Sequence, residues 1–121
     1  MFVPAVRSFG DAELVAICGR NLDGTTHFAR SNAIPLVFTD PIEMFESGTI
    51  DAVIISTSNS SHHPLTMAAL THGLHVLCEK PLAMNPAQAD EMVRAANDMN
   101  ATCLVPFTYR FMPTSQYLHR L

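Results

Sequence analysis

Lys80 stands between Glu79 and Pro81 at the carboxyl end of the apolar run Val76-Leu77-Cys78, where an open α/β sheet presents its chemistry. Proline restricts the backbone of the residue before it, so the Lys80 ammonium is carried on a stiff support. A cation held this way suits a catalytic role, steadying charge on a reacting oxygen, or the positioning of a bound cofactor. The plainer alternative is an exposed Glu-Lys pair that opens a loop. Two more polar loops follow predicted strand ends, Gly19-Arg20-Asn21 and Thr57-Ser58-Asn59-Ser60-Ser61-His62. With Glu79-Lys80-Pro81 they are expected to converge on one crevice suited to a ligand. His62 and His63 invite a metal reading. Adjacent residues do not face the same way on a helix or strand, however, and no carboxylate or cysteine sits at ligand spacing, so no metal is expected.

Behind these loops, short β-rich runs alternate with stretches of helical spacing, the pattern of strand-helix units and a parallel sheet. The strands are expected at 13–18, 36–38, 52–56, 75–78 and 102–106. Asn85 as N-cap, Pro86 at the first helical position and Gln88 as a capping-box partner mark the clearest helix. Its apolar residues Ala89, Met92, Val93, Ala96 and Met99 recur at three- and four-residue steps and predict one buried face. A second helix is expected to start near His63-Pro64 and end at Gly73, with Met67, Ala68, Leu70 and Thr71 in its middle. Shorter helices fit 23–31, with Asp23 as a capping candidate, and 41–47, and a last one follows Pro113. No linker, internal repeat or low-complexity stretch interrupts the pattern.

With 121 residues the chain is long enough for one domain and too short for two. Its net charge of −4 comes without a block of like charges, and 48% of residues are hydrophobic. This balance argues against nucleic-acid and membrane-surface partners, so any anion must be held by local groups. No apolar run approaches the roughly 20 residues of a membrane span. Cys18, Cys78 and Cys103 are far apart, odd in number and set in apolar runs, which predicts reduced, buried thiols and a cytoplasmic setting. No targeting signal is visible, although Met1-Phe2-Val3-Pro4 enters the fold so abruptly that a lost leader stays open.

Taken in order, three segments of this chain resemble the Gfo/Idh/MocA family of nicotinamide-dependent oxidoreductases. They are Thr57-Ser58-Asn59-Ser60-Ser61-His62, then Ala69-Leu70-Thr71-His72-Gly73-Leu74-His75-Val76-Leu77-Cys78-Glu79-Lys80-Pro81, then Tyr109-Arg110-Phe111-Met112-Pro113. Ser58 stands where the family usually has proline. The resemblance implies a doubly wound, Rossmann-like parallel α/β sheet. It also implies a first strand and a Gly-x-Gly-x-x-Gly turn ahead of the segment aligned with residues 2–11, which this sequence does not contain, and a following substrate domain. Residues 1–121 are therefore expected to be a partial dinucleotide-binding domain, inactive alone, with the first strand, the pyrophosphate cradle and the C-terminal substrate domain absent.

The implied activity is hydride transfer between NAD(P) and a sugar, inositol or related polyol, in a full-length form that is a homo-oligomer. By the same resemblance Lys80 lies beside the nicotinamide and the substrate hydroxyl, and Glu79 orients it. Thr57, Ser58 and Asn59 meet the ribose or nicotinamide, and Tyr109 and Arg110 approach the reactive end of the cofactor. His62 braces or lines the crevice, His75 is structural, and His63, His72 and His119 are surface residues. In such a fold an acid at the end of the second strand holds the adenosine ribose. Here that position is Gly19 and Arg20 follows it, so the expectation favours NADP over NAD. Two alternatives carry less of the pattern: a non-catalytic nucleotide-sensing or regulatory module, and a flavodoxin-like interaction domain.

Overall fold

The computed structural model describes residues 2–121, and the chain folds as two compact units, one running to Asp51 and one spanning Ala52–Leu121. The first holds α1 (Phe2–Ser8), β1 (Ala16–Cys18), α2 (Leu22–Ser31), β2 (Leu36–Phe38) and α3 (Pro41–Glu46). The second holds β3 (Ala52–Ile55), α4 (Asn59–Thr71), β4 (His75–Cys78), α5 (Pro86–Asp98), β5 (Cys103–Leu104), a 3-10 turn (Thr108–Phe111) and α6 (Pro113–Arg120). No helix among the described residues is long and apolar enough to cross a membrane.

All strand pairings are parallel. β1 pairs with β2, Ala16 opposite Leu36 and Cys18 opposite Phe38. β3 pairs with β4, Ala52 opposite His75 and Ile55 opposite Cys78, and β4 pairs with β5. The strands therefore lie in two sheets, β1-β2 and β3-β4-β5, and both β1 and β3 end a sheet with one partner among the described residues. All five expected strand positions are occupied, with three trimmed. Residues 13–15 stay outside β1, where the ladder reaches back only through Leu36 N–H to Val15 O at 3.1 Å. Ser56 falls outside β3, and the 102–106 run shortens to Cys103–Leu104, since only Val76 and Leu77 face it.

Helix α1 has no start signal in the sequence and was not expected. It is tied into the first unit by the Arg7 guanidinium, which donates to Asn32 O. Met1 of the Met1–Pro4 segment lies outside the described residues. In α2 the cap is Asn21 rather than Asp23: Asn21 Oδ1 accepts from Gly24 N–H at 2.8 Å. Asp40 caps α3, accepting from Ile42 N–H at 2.7 Å. In α5, Asn85 Oδ1 accepts from Gln88 N–H at 3.0 Å. The Gln88 side chain reaches one residue further back than a capping box requires and accepts from Met84 N–H at 3.1 Å.

The helix expected to start at His63-Pro64 begins a turn earlier, at Asn59, with Pro64 inside it. Proline in that place removes one backbone donor. The extra turn is held by Ser61 N–H to Ser58 O at 2.8 Å and by the paired Ser58 and Ser61 hydroxyls at 2.8 Å. A second correction concerns α5, where Met92 and Ala96 are buried but Val93 and Met99 are 53% and 46% exposed. The buried stripe is therefore narrower than the spacing implied.

Three helices end alike. After α2, α4 and α5 the chain passes through a residue of positive φ, Ala33 at 42°, Gly73 at 75° and Asn100 at 51°. The next residue's N–H then bonds back across the turn, Ile34 to Ala29 O at 2.9 Å, Leu74 to Ala69 O at 3.1 Å and Ala101 to Ala96 O at 2.9 Å. These are Schellman closures, and each delivers the chain into a strand. In the second unit α4 packs on β3, β4 and α5. Val53, Ile55, Val76 and Cys78 alternate along the strands against buried Ala69, Leu70, Leu74 and Met92.

Candidate functional site

In the second unit, the early start of α4 puts His62 in its first turn, where its ring is 1% exposed. Nδ1 lies 2.7 Å from Pro81 O and Nε2 lies 3.3 Å from Thr57 O. Both ring nitrogens face main-chain carbonyls, and one donates to the nearer of them. This single side chain ties the Thr57-Ser58-Asn59 loop to the Glu79-Lys80-Pro81 loop, two segments the sequence separates by about twenty residues. Burying an imidazole in this way is tolerated because its N–H is partnered. The role is a brace between the loops, and no ring nitrogen is left over for a ligand.

Glu79 N–H donates to Ile55 O at 2.9 Å, extending the β3-β4 ladder by one rung into the loop. The Glu79 carboxylate accepts from Lys80 N–H at 3.0 Å. The contact holds the lysine's main chain. The Lys80-Pro81 peptide is cis, and Lys80 is exposed. Ser58 has φ −69° and ψ 148°, inside the narrow φ range that proline imposes, so its replacement of the family's proline keeps the local backbone. Asn59 is the first residue of α4. His62 and His63 diverge, the second pairing with Glu91 Oε2 of α5 at 2.8 Å. His75 Nδ1 accepts from Thr102 N–H at 3.0 Å, a strand-bracing contact. Arg110 sits exposed on the 3-10 turn with Tyr109, and its N–H donates to Phe107 O at 3.0 Å. It has no ion-pair partner among the described residues.

Beneath these loops, burial pushes the Cys78 thiol up, with the Thr66 side chain pulling the other way and Cys103 and Glu79 adding smaller upward pushes. Burial also raises Cys103. In the first unit it raises Cys18, helped by the charges of Asp40 and Glu43. All three cysteines are free thiols, but only Cys78 is fully buried; Cys18 and Cys103 are partly exposed, contrary to expectation. Raised thiols are poor nucleophiles, and none is a candidate for covalent chemistry.

Gly19 and Arg20 belong to the first unit, where they follow β1 on the wall of an open cavity of about 400 Å³. The cavity is also lined by Ile17, Cys18, Asn21, Gly24, Thr25 and Phe28 and has no carboxylate in its wall. Its volume lies within the range of small-ligand sites. Gly19 N–H donates to Phe38 O at 3.1 Å, so the strand's ladder fixes the backbone up to the cavity rim. Thr25, which no motif in the sequence singled out, is buried against Gly19 and donates its hydroxyl to Asn21 O at 2.6 Å. Its four-residue spacing from Asn21 was the available signal. For an adenosine phosphate the fit is favourable: one guanidinium, no opposing carboxylate in the wall, and a strand end bare of side chain.

A sequence profile described as an oxidoreductase family with an NAD-binding Rossmann fold matches residues 1–107. An uncharacterized oxidoreductase of Escherichia coli, YgjR, is 34% identical over 98% of this chain and 36% of its own length. The scyllo-inositol 2-dehydrogenase (NADP(+)) IolU of Bacillus subtilis is 30% identical over 99% of the chain and 38% of its own. Among solved structures, the 3-ketoreductase KijD10 of Actinomadura kijaniata, in complex with NADP and TDP-benzene, superposes with a TM-score of 0.89 at 26% identity, covering 96% of this chain and 35% of its own. The chain thus spans about a third of the length of the relatives it matches.

Proposed function

This chain belongs to the Gfo/Idh/MocA family of oxidoreductases, and from that premise we propose that it is the dinucleotide-binding part of an NAD(P)-dependent dehydrogenase acting on a sugar, inositol or related polyol. The observation that carries the reading is the His62 tie, which brings the Asn59 loop and Lys80 side by side at the carboxyl ends of β3 and β4. Ligands of open parallel sheets bind at those ends. Dehydrogenase names among the relatives favour this reading over a regulatory module.

When bound, the nicotinamide supplies or takes up a hydride. Lys80 serves as the catalytic cation, holding the substrate oxygen and steadying the negative charge that gathers there. Thr57, Ser58 and Asn59 hold the ribose and nicotinamide side, Glu79 and His62 fix the loop that carries Lys80, and Arg110 borders the reactive end. At the adenosine end Gly19 presents no carboxylate and Arg20 supplies the charge, which favours NADP over NAD. The free thiols of Cys18, Cys78 and Cys103 support a reducing, cytoplasmic setting, and a homo-oligomeric whole enzyme belongs to the same proposal.

The test is a panel of sugars and polyols assayed with each cofactor in the full-length protein, beside the variant Arg20→Ala. The variant should weaken NADP by about tenfold or more while leaving NAD nearly unchanged, the scale of one charge-assisted contact. Equal losses for both cofactors would remove Arg20 from the phosphate site, and no turnover with any polyol would overturn the substrate class.

A further inference from the structure

A Cβ built on Gly19 would lie 2.3 Å from Thr25 Oγ1, 3.3 Å from its Cγ2 and 3.4 Å from its Cβ. The first distance is far inside van der Waals contact, so a side chain at position 19 cannot be added unless Thr25 moves. Thr25 is poorly placed to move. It is 9% exposed, sits in the first turn of α2 and holds its rotamer through the 2.6 Å bond from its hydroxyl to Asn21 O. Turning the side chain away gives up that bond, and helical threonines have few rotamers to choose from. Removing both Oγ1 and Cγ2 takes away the two closest contacts, and the 3.4 Å contact with Cβ is ordinary packing.

We propose that Thr25 is a steric gate on position 19 at the adenosine end: by occupying the space a Cβ there would need, it bars the acidic side chain that would hold an unphosphorylated ribose and leaves Arg20 to meet a 2′-phosphate. An acid at the end of this strand accepts hydrogen bonds from the ribose hydroxyls, and an arginine nearby accommodates the phosphate. Thr25 touches neither group and acts through position 19. The inference rests on the dinucleotide reading above and deepens it, because it makes cofactor choice a property of two positions rather than one.

The experiment is a double-mutant cycle in the full-length protein with Gly19→Asp, Thr25→Ala and the pair, read by thermal melting and by equilibrium titration with NADP and NAD. Gly19→Asp alone is expected to lower Tm by about 4 °C or more, as overpacking does. The pair should recover to within about 2 °C of Thr25→Ala, a non-additivity of the kind contacting residues show. The pair should also shift the NADP-to-NAD affinity ratio toward NAD by about tenfold or more, while Thr25→Ala alone leaves the ratio within about threefold. A Gly19→Asp protein that melts like the parent and switches cofactor by itself overturns the proposal, as do losses that simply add. A parent protein that binds neither dinucleotide overturns the functional reading and the selectivity claim together, whereas the melts judge the Thr25 barrier independently.

Discussion

Lys80 has its main chain committed on both sides, its N–H to the Glu79 carboxylate and the following carbonyl of Pro81 to His62. The ammonium is therefore the free part of a fixed residue, the arrangement expected when a charge must be present before the reaction rather than recruited during it. In the full-length enzyme Lys80→Ala should lower kcat/KM by about 10² or more, since one lost charge stabilisation at the reacting oxygen costs roughly 3 kcal/mol. Steady-state kinetics decide it, and a loss below about threefold would place Lys80 outside the site. At this scale the sequence revealed residue types well. Lys80, Asn59 and His62 were singled out by the order of their segments, and the loops that carry them meet at the His62 ring, but two partners were not legible. That the Glu79 carboxylate reaches the adjacent Lys80 N–H is a matter of backbone geometry that the residue types do not announce. Thr25 was missed because its importance comes from the space above a glycine, which no side-chain chemistry announces.

The connections from α2 to β2, from α4 to β4 and from α5 to β5 share one closure, yet three different residues occupy its left-handed position. Gly73 is there without steric cost and Asn100 is among the better tolerated alternatives, but Ala33 at φ 42° carries a methyl group into a region L-residues avoid. Ala33→Gly should therefore stabilise the first unit by about 0.5–1 kcal/mol, the left-handed penalty less the added freedom of glycine in the unfolded chain. Urea titration measures it, and a destabilised variant would show that the closure is not under strain. Elements with strong punctuation were legible, as with Asn85-Pro86 before α5 and Gly73 after α4. The start of α4 was not, because Pro64 imitates a first-turn proline while the actual first turn is held by serine hydroxyls and a buried histidine. Val93 and Met99 had the right spacing for burial, but α5 is covered along only one narrow line.

Across the whole molecule, the alternating pattern identified a parallel α/β fold. The observed sheets end at β1 and β3. Such edges invite other chains, so the purified 121-residue chain should elute earlier from size exclusion as its concentration rises. Placing a lysine at the exposed edge residue Ala52 should reduce that shift. A monodisperse monomer with a sharp melt above roughly 60 °C would count against open edges. The division into two units also implies two routes of opening instead of one. Among the described residues only β4 has hydrogen-bonded neighbours on both sides, and Leu70, Met92, His62, Thr66 and Cys78, the largest fully buried side chains there, all lie in its unit. The β1-β2 ladder is three residues long and rests on a thinner core. Exchange of amide hydrogens for deuterium reads the free energy of each opening separately. Peptides spanning β1 and β2 should label well before the one containing β4, and identical rates in both would mean that the chain opens only as a single body.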